Sequence, residues 1–130
     1  MPCHNDLLGA NLLHDGQRIQ IVDWEYSGMG DRYFDLGNFA VNNELGPDDE
    51  EVLLTRYFDE PATDRRRATL ALFRCMSDFR EAMWGTLQTS VSHVGFDFEE
   101  YARSHFARLV DAMGAPRFEE HLRQVRAGGP

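Results

Sequence analysis

The residues best suited to chemistry cluster at the start of the chain: His4-Asn5-Asp6-Leu7-Leu8-Gly9-Ala10-Asn11, a His-x-Asp pair followed after four residues by asparagine. An aspartate in such a loop can receive or orient the proton of an attacking hydroxyl, and an asparagine a turn later offers a neutral oxygen to a metal. A second carboxylate, Asp23 in Ile21-Val22-Asp23-Trp24-Glu25, is expected to leave a strand end. One carboxylate and one carboxamide, completed by phosphate oxygens and water, suit magnesium bridging the phosphates of ATP. Either motif alone is weak; their order, joined by a stretch of hairpin length, carries the reading of phosphoryl transfer.

The elements that must hold these groups can be read from pattern. Leu12-Leu13 and Ile19-Gln20-Ile21-Val22 flank Asp15-Gly16, a strong tight-turn signal, and predict a hairpin over 12–23. A polar, glycine-rich loop over 25–32 follows, and Asp35 is placed to cap a short helix through Leu36, Phe39 and Ala40. From Pro47 the pattern is helical: one helix to Phe58 or Asp59, a long one from Asp64 to about Ser92, and one from about Phe98 to Met113. A short polar helix over about 117–125 closes the chain. Phe73, Met76, Met83, Leu87 and Val91 recur at helical steps, and Tyr101, Phe106, Leu109, Val110 and Met113 are assigned to the buried side of the next helix. The expected class is α+β, mainly α, with a small hairpin preceding a helical bundle.

Bulk properties narrow the partners. With 22 acidic and 13 basic residues, the formal net charge is -9, the reverse of what nucleic-acid binding requires. No apolar run is long enough for a membrane span, and no signal-peptide pattern opens the chain, so a cytoplasmic location is expected. Two cysteines, Cys3 and Cys75, are read as free thiols. All the basic residues are arginine; lysine is absent.

The segments His4-Asn5-Asp6 to Asn11, Ile21-Val22-Asp23-Trp24-Glu25-Tyr26-Ser27-Gly28 and Phe34-Asp35-Leu36-Gly37-Asn38 resemble the choline/ethanolamine kinases, with aminoglycoside phosphotransferases as wider kin. Trp84, Gln88 and the stretch from Phe96 through Phe106 resemble the helices of that family's choline pocket, so the likeness runs along nearly the whole chain. The resemblance implies a protein-kinase-like C-lobe over 1–130, with catalytic loop, hairpin and metal loop in 1–45 and a substrate-binding helical part in 46–130. It implies Asp6 as catalytic base, Asn11 and Asp23 as magnesium ligands, His4 as a prop for the loop, and Asp35 as a structural aspartate behind it. Trp84 and Tyr101 match aromatic positions facing an ammonium group, which aromatic faces can hold without N–H donors. Glu81, three residues before Trp84, shares its helix face and is a further candidate for binding the cation. Glu81 stands where the family often has a second tryptophan, and Asn42 where it has a carboxylate.

A kinase of this kind also needs an N-lobe with a lysine for the α- and β-phosphates. The catalytic motif begins at residue 4, so the chain is expected to lack that lobe and to turn over negligibly alone. The expected substrate is a small cationic amino alcohol, choline or ethanolamine first, thiamine or an aminoglycoside second. The rival expectation is a non-catalytic binding domain that keeps the fold.

Overall fold

The computed structural model describes residues 1–127. Two short antiparallel ladders open the chain. Strand β1 (Pro2–Cys3) pairs with β4 (Gly28–Met29), and β2 (Leu12–His14) pairs with β3 (Ile19–Ile21) in the register Leu12↔Ile21, Leu13↔Gln20, His14↔Ile19. The turn between β2 and β3 closes because Asp15 Oδ1 accepts from the amides of Gln17 and Arg18, while Gly16 takes the left-handed φ of 98°. A 3₁₀ turn at Gly9–Asn11 joins the first loop to β2.

Five helices follow. α1 (Arg32–Asn42) is capped by Asp31, whose Oδ1 accepts from Tyr33 N at 2.9 Å. The sequence expectation that Asp35 caps this helix is therefore corrected: Asp35 sits inside the first turn, with its carboxylate free for another task. α2 (Pro47–Phe58) starts with proline and three carboxylates at its positive end and stops at Asp59, which is left-handed. α3 (Asp64–Val91) is capped by Thr63, α4 (Phe98–Gly114) by Asp97, and α5 (Pro116–Ala127) follows directly.

α3 is the spine. α1 crosses it at Gly37, where a Cβ would stand 2.7 Å from the Phe73 carbonyl carbon; α4 crosses it at Gly85, against Tyr101 and Ala102. Such close approach leaves an interior of small and polar residues. The buried positions of α3 are Ala68, Leu70, Ser77, Asp78, Glu81, Ala82 and Gly85. Met76, Met83, Leu87 and Val91 are exposed, so the apolar stripe read from the sequence is not the core-facing side. On α4 the same correction applies: Val110 and Met113 are exposed, and Ala102 and His105 are buried. The apolar core proper is a cluster of Leu36, Leu54, Ala62 and Leu70, backed by Tyr33, Leu53 and Phe58. Buried polar groups are paired across helices: Asn38 Nδ2 donates to Ser77 Oγ at 3.1 Å, and Asp78 accepts from Arg108 and meets His105 Nδ1 at 2.8 Å. No helix among the described residues is long and apolar enough to cross a membrane.

Candidate active site

The loop between β1 and β2 is held by its backbone. Both oxygens of Asp35 accept amide protons from it, Oδ2 from His4 N and Oδ1 from Asn5 N, each at 2.7 Å. One helical turn on, Asn38 Oδ1 accepts from Leu7 N at 2.6 Å. α1 thus fixes the amides on both sides of Asp6, using side chains spaced to share one helix face. Asn5 sits at a φ of 66°, a conformation asparagine tolerates better than most, and its Nδ2 donates to Tyr26 O.

His4 is buried and links the loop to the hairpin. Its Nδ1 accepts from Asp6 N at 3.2 Å, which leaves the other nitrogen protonated to donate to Val22 O at 2.8 Å. Trp24 covers the imidazole edge-on, with ring centroids 4.6 Å apart. Every ring nitrogen is spent on backbone, so His4 has no free site for proton transfer.

Asn11 is buried, with Nδ2 directed at Asp6: 3.0 Å to its carbonyl and 3.4 Å to Oδ2. That orientation turns the amide oxygen away from Asp6. Asn11 O also accepts from Val22 N at 3.0 Å, so Val22 is gripped through both its N–H and its carbonyl. Asp23 is the next residue. It is exposed and left-handed, φ 62°, an uncommon conformation for a residue other than glycine. Asp6, Asn11 and Asp23 are therefore tied into one unit, by direct bonds between the first two and through Val22 for the third. Among the described residues no three His, Cys, Asp or Glu side chains form a metal cage. Asn11 and Asp23 together offer one carboxylate and one amide oxygen, a donor set that fits magnesium sharing its remaining positions with phosphates and water.

The second half of the site lies on α3 and α4. Trp84 meets Tyr101 edge-on at 5.9 Å and Phe98 at 5.7 Å, while Phe96 approaches Tyr101 at 6.0 Å and Phe98 at 4.9 Å. Phe96 and Phe98 flank the Asp97 cap of α4, so that Phe98 lies against Trp84 of α3 and Phe96 against Phe98 and Tyr101. Sequence reading named their stretch but gave them no role. Glu81 is buried beneath this cluster. Its Oε2 accepts from Tyr101 OH at 2.7 Å, and its Oε1 accepts from Asn38 at 3.3 Å and from Arg80 at 2.5 Å. Burial, then the bond to Glu81, raises the Tyr101 phenol well above its ordinary value. Arg80 also reaches Asp6 Oδ1 at 3.4 Å and lies 5.1 Å from the Tyr26 ring. No sequence signal pointed to Arg80, since an arginine beside a helical glutamate reads as a solvated pair. Asn42 Nδ2 is buried with no hydrogen-bond partner, one turn beyond Asn38 on α1.

The profile of the phosphotransferase enzyme family matches residues 1–71, more than half of the chain, and the chain belongs to that family. It is 32% identical over 124 residues to ethanolamine kinase 2 of Rattus norvegicus, covering 80% of this chain and 32% of that protein. It is 28% identical over 110 residues to the LicA homolog of Mycoplasma capricolum, covering 85% of this chain and 44% of that protein. The crystal structure of a choline/ethanolamine kinase family protein from Mesorhizobium loti superposes with a TM-score of 0.90 at 38% identity, over 98% of this chain and 43% of that one. The fold is thus part of a kinase-like architecture, and the chain spans less than half the length of these relatives.

Proposed function

We propose that this chain supplies the catalytic and alcohol-binding part of an ATP-dependent kinase that phosphorylates a small cationic amino alcohol, choline or ethanolamine first, in the cytoplasm. One observation carries the reading: Asp6 meets Asn11 on one side and Arg80 on the other, and Arg80 leads through Glu81 to Tyr101 of the aromatic cluster. Asp6 orients the alcohol hydroxyl and accepts its proton. Asn11 and Asp23 would hold magnesium, which when bound neutralises charge on the nucleotide phosphates. Trp84, Tyr101, Phe96 and Phe98 offer ring faces to an ammonium head. Glu81 adds negative charge beneath the rings; every polar contact it makes is already internal, so it acts on a cation through its field rather than by touching it. The absence of lysine implies that the α- and β-phosphates are gripped from an N-lobe outside this chain.

The test is a chimera in which this chain follows the N-terminal part of the Mesorhizobium loti protein, assayed for ADP release with choline, ethanolamine, thiamine and an aminoglycoside. Transfer to an amino alcohol, abolished by Asp6→Asn in a folded protein, is the expected result. A folded chimera that binds ATP yet phosphorylates none of the four would end the proposal. Preference for thiamine or the aminoglycoside would keep the reaction and replace the substrate. The isolated 130-residue chain is expected to show negligible turnover.

A further inference from the structure

A path of hydrogen bonds crosses the site from the aromatic cluster to the base. Tyr101 OH donates to Glu81 Oε2, Arg80 Nη1 donates to Glu81 Oε1, and the same Nη1 reaches Asp6 Oδ1. The two oxygens of Asp6 are thus approached from opposite sides at equal distance, Oδ2 by Asn11 Nδ2 and Oδ1 by Arg80 Nη1, both at 3.4 Å. Bonds of that length are individually weak, so neither donor fixes the carboxylate plane alone. Together they oppose rotation in both directions. Arg80 is in turn immobilised by the buried Glu81 and by the Tyr26 ring, and Glu81 by Tyr101 and Asn38.

The sequence position makes this arrangement specific. Arg80 and Glu81 are neighbours on α3, and side chains one residue apart on a helix diverge. Arg80 must therefore bend across the helix surface to satisfy both carboxylates at once. Were its task only to neutralise Glu81, contact with Asp6, which lies 74 residues away in sequence, would not be required. We infer that Arg80 is a positioning residue that sets the orientation of Asp6 and couples it, through Glu81 and Tyr101, to the aromatic cluster. The inference rests on the proposed function for its kinetic meaning, though not for its geometry.

Two kinds of measurement test it. Arg80→Gln alone leaves Glu81 buried without its cation, which threatens folding. The informative variant is Arg80→Gln with Glu81→Gln, which removes the charge pair but keeps acceptors for Tyr101 and Asn38. A crystal structure of this double variant of the full chain is expected to show the Asp6 carboxylate turned from its present plane. In the kinase chimera, kcat is expected to fall at least about tenfold below that of Glu81→Gln alone, with the KM for the amino alcohol within about threefold of that single variant, the signature of a lost transition-state interaction. Arg80→Lys, which keeps a charge within reach of both carboxylates, is expected to restore kcat to within about threefold. A purely structural Arg80 would instead lower the melting temperature and leave kcat unchanged in whatever remains folded. An unmoved Asp6, or an unchanged kcat in the folded double variant, overturns the inference. If the unsubstituted chimera transfers no phosphate, the proposed function fails by itself, and the orientation of Asp6 in the crystal still decides the role of Arg80.

Discussion

Replacing Asp35 by alanine isolates what holds the loop around Asp6 in place. Its two oxygens each accept a backbone amide at 2.7 Å, from His4 and from Asn5, and both bonds are charge-assisted. Hydrogen bonds to an ionised group contribute about 1.5–3 kcal/mol each. The loop is only partly buried, so water can replace some of that, and a net loss of about 3 kcal/mol is expected for Asp35→Ala. Against the roughly 5–15 kcal/mol stability of an ordinary domain this is a large fraction. Urea unfolding followed by far-ultraviolet circular dichroism measures it, and amide exchange locates it, since His4 and Asn5 N–H should lose protection first. Asp35→Asn is the control: one acceptor remains, but the new NH₂ faces an amide N–H, so most of the loss should persist. A cost below about 1 kcal/mol for Asp35→Ala, or exchange rates at His4 and Asn5 that do not change, would refute the account.

Four further outcomes follow from the same structure. Gly37→Ala forces a Cβ to 2.7 Å from the Phe73 backbone, which cannot yield as a side chain would; thermal unfolding should show a loss of about 2 kcal/mol despite alanine's better helix propensity. Asn42→Leu removes a buried donor that has no partner and should stabilise the fold by about 1 kcal/mol in denaturant titration. Tyr101 has its phenol pKa raised by burial and by the bond to Glu81, so the folded state keeps this proton longer than the unfolded chain does. Its contribution is complete below the ordinary tyrosine value near pH 10 and falls as pH climbs beyond it, so Tyr101→Phe should flatten the alkaline limb of a stability-versus-pH curve. Asp23→Gly relieves a left-handed aspartate but adds chain entropy to the unfolded state, so unfolding free energy should stay within about 1 kcal/mol while phosphotransfer by the chimera is lost.

Where sequence reading met the structure, local chemistry decided the outcome. The hairpin turn, the start of α2 at Pro47 and the ends of α3 are dictated by nearby residues with strong conformational preferences, and all fall within a residue or two of expectation. The α1 cap went to Asp31 rather than Asp35 because both aspartates satisfy the local rule, and only tertiary contact separates them: Asp35 is taken by the loop 30 residues earlier. The buried face of α3 was illegible for a related reason. Hydrophobic periodicity finds the face with the largest apolar side chains, but the packing at Gly37 and Gly85 brings helices too close for them. The core-facing side is instead written in Ala68, Ser77, Ala82 and Gly85, with Asp78 and Glu81 among them, a pattern that reads as solvent-exposed until its partners Asn38, Tyr101, His105 and Arg108 are placed beside it.

This polar interior bears on how the site works. In the proposed function the side-chain oxygens of Asn11 and Asp23 are kept for a metal, so the loop and the hairpin end cannot be anchored by them. Here anchoring is assigned to other residues: Asp35 and Asn38 take the loop amides, His4 takes the hairpin carbonyl, and the Asn11 carbonyl takes the returning strand. The cost falls on the two residues beside the chemistry, Asn5 and Asp23, which sit at φ values of 66° and 62°. For most side chains that geometry costs about 1–2 kcal/mol, and asparagine and aspartate are among those least penalised. Residue type at these two positions therefore answers two demands at once, a permitted backbone and, at position 23, a free carboxylate. Glycine would meet the first and remove the carboxylate that the proposed function requires.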